Sequence, residues 1–198
     1  MTIYTIYANT NDHYVDSSNN TYSTARAGSG LVDDTSGAYM YAGQDYGAPT
    51  YYVKQAFLSF DTSAVISGQP ASLSLTIYVQ SNTNPATYDV DIVNWTAGTG
   101  SFVAGTSLSA QSEFGTATLT GTGDKVFSST TNPARSSTYK LMIYGHRQET
   151  NSAPTGIEYI LFRSADWAGT ATDPYLTIDV TWPVYYFQRD EYLSYMRI

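Results

Sequence analysis

Between residues 72 and 80 apolar and polar side chains alternate without a break. Leu73, Leu75, Ile77 and Val79 fall on one side, and Ser72, Ser74, Thr76, Tyr78 and Gln80 on the other. A side-chain period of two is that of an extended strand with one dry and one wet face. The period recurs in Tyr88, Val90 and Ile92 against Asp89 and Asp91, and in Leu176, Ile178, Val180 and Trp182 against Thr177, Asp179 and Thr181. Further strands are predicted at 3–8, 12–16, 38–42, 53–60, 116–120, 138–145 and 157–163. Turn-rich stretches separate them: Ser17-Ser18-Asn19-Asn20, Ala27-Gly28-Ser29-Gly30, Gly98-Thr99-Gly100 and Gly121-Thr122-Gly123-Asp124. No helix longer than about two turns is predicted before residue 183, and no fixed-period repeat points to a solenoid or propeller. The pattern predicts an all-β chain, an antiparallel two-sheet β-sandwich of the jelly-roll kind over residues 1–182.

Residues 183–198 differ in character. Tyr185, Tyr186, Phe187, Tyr192 and Tyr195 crowd this segment, with Arg189 and Arg197 among them. Tyr and Arg are enriched at interface centres, so the segment is expected to be a C-terminal docking extension, either onto a partner or onto its own sheet edge.

Composition narrows the function. Of 198 residues only 13% are charged, nineteen are tyrosine, and serine with threonine make up a quarter. Tyr and Thr suit a pleated, half-buried surface. There is no cysteine, which removes disulfides, thiolate metal sites and thiol catalysis. A net charge of −8 disfavours a phosphate-binding surface and so nucleic acid. No stretch approaches the ~20 apolar residues of a membrane-spanning helix, so no membrane insertion is expected. The start, Met1-Thr2-Ile3-Tyr4-Thr5-Ile6-Tyr7, lacks the basic and apolar regions of a secretory signal. The chain is therefore expected to be made in the cytoplasm and to reach the outside by lysis, by an assembly process or with a precursor segment.

Several segments, taken in order, resemble the DNRLRE domain, a β-sandwich family related to the disaggregatase repeat and to some carbohydrate-binding modules. They are Asp12-His13-Tyr14-Val15-Asp16-Ser17-Ser18-Asn19, then Gln55-Ala56-Phe57-Leu58-Ser59-Phe60-Asp61-Thr62-Ser63, then Ala71-Ser72-Leu73-Ser74-Leu75-Thr76-Ile77-Tyr78. Near the end come Phe162-Arg163-Ser164-Ala165-Asp166 and Asp173-Pro174-Tyr175-Leu176-Thr177-Ile178. The family's arginine in the second segment is replaced by Ser59. The resemblance implies a β-sandwich serving as a binding or structural module on a cell surface or in a bacteriophage particle, and does not by itself imply catalysis.

The residues themselves offer little catalytic chemistry. His13 and His146 lie far apart in sequence, and no Gly-x-Ser-x-Gly nucleophile turn is present. Asp89 and Asp91 share a strand face ~7 Å apart, a spacing found in inverting glycosidases, but no cluster of Trp or Arg accompanies them in sequence, so they are read as two solvated acids on a wet strand face. Gly28-Ser29-Gly30 precedes no helix, so no phosphate loop is predicted. No cofactor is expected, with calcium the one ion the loops would suit, through the hard oxygens of Asp12, Asp16, Asp33 and Asp34.

Aromatic side chains are the last functional signal. Tyr39, Tyr41, Tyr46, Tyr51 and Tyr52 surround the stretch Gly43-Gln44-Asp45-Tyr46-Gly47-Ala48-Pro49, read as a long irregular loop. Tyr46, Tyr51 and Tyr52 are its candidate ligand-binding residues, because aromatic faces stack on sugar rings and also form protein interfaces. Two readings follow. One is a non-enzymatic structural protein of a bacteriophage particle, a capsid decoration or tail-associated subunit that docks on other virion subunits and forms a homo-oligomer. The alternative is a carbohydrate-binding module of a secreted or cell-surface protein, holding a host-surface polysaccharide.

Overall fold

The computed structural model describes residues 2–35, 37–65, 69–82, 87–95, 102–129 and 138–181. Among the described residues twelve strands dominate. They are β1 (Thr2–Tyr7), β2 (His13–Asn19), β3 (Val32–Asp34), β4 (Tyr39–Gly47), β5 (Thr50–Phe60), β6 (Gln69–Asn82), β7 (Thr87–Asn94), β8 (Ser112–Thr120), β9 (Gly123–Ser129), β10 (Tyr139–Gly145), β11 (Glu158–Arg163) and β12 (Tyr175–Thr181). Two short helices, α1 (Tyr22–Arg26) and α2 (His146–Glu149), and a 3-10 turn at Gly105–Ala110 lie between them. Every strand pairing is antiparallel. The fold is all-β, as the alternation predicts. Among the described residues no helix is long and apolar enough to cross a membrane.

Hydrogen bonds join all twelve strands into one curled sheet, with the main path β1-β12-β6-β11-β4-β5-β10-β7-β8. Two separate sheets were expected from sequence. The link between the two groups of strands is β5, which pairs with β4 over its first half, Thr50 to Lys54, and with β10 over its second, Ala56 to Phe60. β2 runs along its opposite edge. At the other side β6 pairs with β12 and then β11 along one edge and with β9 along the other.

The main core sits inside the curl. Leu73, Leu75, Ile77 and Val79 of β6 meet Ala56, Leu58 and Phe60 of β5, Leu141 and Ile143 of β10, Val90 and Ile92 of β7, and Leu176, Ile178 and Val180 of β12. Each such aliphatic side chain contributes about 1.5–3 kcal/mol when fully buried. The alternation of β6 and β12 is thus mainly that of core and exterior, whereas in β7 it holds only as far as Val90, beyond which Asp91 and Val93 are buried as well. Trp182 and the aromatic residues Tyr185, Tyr186, Phe187, Tyr192 and Tyr195, with Arg189, lie outside the described residues.

A second apolar layer covers the opposite side of β5 and β10. Val15, Phe57, Val93, Trp95, Val103, Leu108, Met142 and Tyr144 form one cluster, and Tyr22, Ala25 and Val53 another. Strands buried on both faces lose the alternating pattern, and β10 is accordingly apolar from Leu141 to Tyr144 without a break. Fully buried glutamines pin the cover down. Gln55 Nε2 donates to the Val103 carbonyl at 2.8 Å, and the Val103 amide donates back to Gln55 Oε1 at 2.8 Å. Gln148 Nε2 donates to the carbonyls of Gly43 at 2.6 Å and Lys54 at 3.0 Å. The buried Arg26 of α1 donates to the carbonyls of Gln148 and Glu149, the groups a helix C-terminus leaves unsatisfied.

The stretch 121–124 is a turn only in its first half. Gly121-Thr122 carries the chain from β8, paired with β7, to β9, paired with β6. Gly121 has φ +61° and Gly123 φ +90°, values that favour glycine. β9 escapes the sequence pattern because Val126 points out while Phe127 and Ser129 are buried.

Candidate functional site

The stretch around 43–49 is not an irregular loop. β4 and β5 extend through it as a hairpin whose turn is Ala48-Pro49, with a cis peptide between them. Tyr46 and Tyr51 are cross-strand partners. Their rings lie 4.6 Å apart, and Tyr51 also packs on Tyr22 at 5.7 Å. Tyr52 has a different neighbour, the Lys54 ammonium, 5.4 Å from its ring centre. The same ammonium lies 5.4 Å from Tyr41 and 5.9 Å from Tyr159, and forms an ion pair with Asp16. Three tyrosines thus cage a cation that belongs to the chain itself. Tyr46 and Tyr51 thus stack on each other, whereas Tyr52 lies on the opposite face of β5 beside Lys54, and all three are partly buried against the chain itself.

The four acids proposed for calcium are placed apart. Asp16 is committed to Lys54, although burial still holds its carboxyl above the ordinary range. Asp12 is 2% exposed; its Oδ2 accepts the Ala165 amide at 2.7 Å while its Oδ1 lacks a partner. Burial, reinforced by the charges of Asp166 and Asp173, pushes Asp12 up to about 6. Asp33 and Asp34 stand on β3, opposite Val15 and Tyr14. Among the described residues, no three of these four bring carboxylate oxygens within 4.8 Å of one another.

A cavity of ≈ 410 Å³ opens beside the start of β2. His13 stacks on Phe57 at 5.0 Å and 12°, and Trp95 meets Phe57 edge-on at 5.6 Å. Asn11, Asp33 and Lys140 add polar groups to the lining. His13 Nδ1 is 3.1 Å from the Asn11 carbonyl, and its buried Nε2 has no partner.

A groove of ≈ 250 Å³ runs beside the 3-10 turn and α2. Asp91 of β7 pairs in register with Tyr144 of β10, and the chain turns directly from β10 into α2. His146 is thereby carried over Asp91, with Nδ1 2.8 Å from Oδ2. His146 and Glu149 are three apart on one helical turn and face the same way. Tyr144 donates its hydroxyl to Glu149 Oε2 at 3.1 Å. Asp91 is 4% exposed, and burial raises its carboxyl above the ordinary range. The hydrogen bond to Asp91 is the main cause holding His146 above its own.

Two solvated acids were an expectation for Asp89 and Asp91, and only Asp89 meets it. Asp89 is exposed and accepts from Thr118 on β8, whereas Asp91 is covered by α2 and the 3-10 turn. The local signal for this group was His146-x-x-Glu149 immediately after a strand; the pairing of β7 with β10, which supplies Asp91, is not local.

The chain matches no family model and no curated protein sequence.

What these side chains can do differs from place to place. The caged Lys54 is a packed structural feature. The His13 cavity has an aromatic floor with polar groups around it, suited to a small polar ligand. The Asp91 groove gathers one imidazole and two carboxylates, a donor set for a metal ion.

Proposed function

We propose that this chain is a non-enzymatic structural component of a bacteriophage particle, decorating the capsid or associated with the tail, and held there by contacts with neighbouring subunits. The observation that carries this reading is the exposed apolar face of β1. β1 stands at the end of the strand order, pairs with β12 alone among the described strands, and presents Ile3 at 59% and Tyr7 at 47% exposure. An end strand with apolar outward side chains is a template for adding another chain. The resemblance to the DNRLRE domain agrees with a structural or binding role.

The test is mass spectrometry of gradient-purified particles. A fixed copy number relative to the major shell protein supports the reading, and absence of the chain from particles removes it. An Ile3→Lys/Tyr7→Lys chain is expected to fold and to be lost from particles. Full incorporation of that variant would take β1 out of the argument.

The His13 cavity favours a second reading, a carbohydrate-binding module. Affinity electrophoresis against polysaccharides is the check: retardation of the wild type that weakens in His13→Ala supports it, and migration unaffected by any glycan dismisses it.

A further inference from the structure

We infer that Asp91, His146 and Glu149 form a binding site for a single first-row transition dication of the zinc type. One ligand atom from each of the three lies within 4.8 Å of those of the other two. Two of them already touch, His146 Nδ1 lying 2.8 Å from Asp91 Oδ2 in a direct hydrogen bond, so an ion with ~2.1 Å bonds would replace that proton and part the two atoms to about 3.4 Å, the spacing of neighbouring tetrahedral ligands. Among the described residues this is the only group of three such side chains that converges.

The donor set selects the ion. Calcium and magnesium prefer oxygen alone, whereas an imidazole with two carboxylates suits Zn²⁺, Co²⁺, Ni²⁺ or Mn²⁺. Charge points the same way, because Asp91, Glu149, Asp89 and Glu113 all act on this one spot and a single imidazole cannot balance them. The ligands are also held. Asp91 is fixed by burial on β7, Glu149 accepts from Tyr144, and the end of α2 is tied by Arg26. His146, 46% exposed at its side chain, leaves the ion a route from solvent. The site is separate from β1, so it stands or falls independently of the particle reading.

Calorimetric titration of the full chain with Zn²⁺ tests it, with Co²⁺ absorption as a second readout. The expected result is one saturable site that Ca²⁺ does not fill. His146→Ala should lower the Zn²⁺ affinity about tenfold or more, the scale on which a metal site loses a supporting group. Glu149→Gln should weaken it severalfold, and His13→Ala should leave it unchanged. Both site substitutions fall on partly exposed side chains, and near-ultraviolet circular dichroism confirms that the variants remain folded. The proposal is overturned by no saturable Zn²⁺ binding, by binding that survives both site substitutions, by binding lost in His13→Ala instead, or by equal affinity for Ca²⁺.

Discussion

The two faces of β5 are stabilised by different means. Toward the main core, Ala56, Leu58 and Phe60 meet aliphatic side chains from strands distant in sequence, and this packing is non-directional. Toward the outer layer, Val53, Gln55 and Phe57 meet a covering made of α1, the stretch 102–110 and α2, tied by glutamines to single backbone groups. A core of the first kind tolerates change in proportion to the volume lost. A cover of the second kind depends on a few hydrogen bonds that have no substitute once buried.

The largest expected effect is therefore in the main core. Ile77→Ala should cost about 3–4 kcal/mol, read as a lowered urea midpoint with an unchanged slope. In the outer layer, Gln55→Ala orphans the amide and carbonyl of Val103 and should cost about 2–3 kcal/mol. Gln55→Leu separates the two mechanisms, because it keeps volume and loses both hydrogen bonds; recovery of wild-type stability in that variant would mean that the cover is held by packing after all.

Asp12 gives a pH-dependent effect of similar size. Its folded-state pKa of about 6 lies above the ordinary 3.8, so between these values the folded chain holds a proton that the unfolded chain has released. Stability from this group is full below about pH 4 and falls as pH rises through 6, by about 2–3 kcal/mol. Asp12→Asn should match the wild type in urea at pH 4 and exceed it at pH 7. Equal pH profiles for the two chains would contradict the assignment.

The smallest effect tests a single oxygen. The Tyr88 hydroxyl is buried without a partner and lies so close to Gly43 and Gly145 that an added Cβ would meet it at 2.6 and 1.9 Å. Tyr88→Phe should be neutral or stabilise by up to about 1 kcal/mol, whereas Gly145→Ala should be strongly destabilising and partly rescued in combination with Tyr88→Phe.

The contrast explains what could be read from sequence. β6 and β12 are buried mainly on one face, and β7 is so up to Val90, so their alternation named Leu73, Leu75, Ile77, Val79, Tyr88, Val90, Ile92, Leu176, Ile178 and Val180 correctly as an inward set. β5 and β10, buried on both faces, gave strands but not the identity of what covers them. Glutamine carries no such signal, because Gln44, Gln55 and Gln148 look in sequence like any exposed polar residue. The tyrosines near 46–52 were recognisable as a cluster. Their partners were only partly so: Lys54 lies two residues from Tyr52 on the same face of β5, but Asp16 reaches Lys54 only through the β2-β5 pairing. Asp91 was assigned to the wet face because a strand pattern cannot reveal a helix packed over it.

The passage of β5 from β4 to β10 also governs how the chain comes apart. Neither group of strands can be peeled away without breaking the ladder of a strand that the other group uses. Opening is therefore expected to be all-or-none, with the amides of β5 from Val53 to Leu58 exchanging with deuterium only through global unfolding. Under mechanical load applied between the two groups, the same strand would be the last to yield.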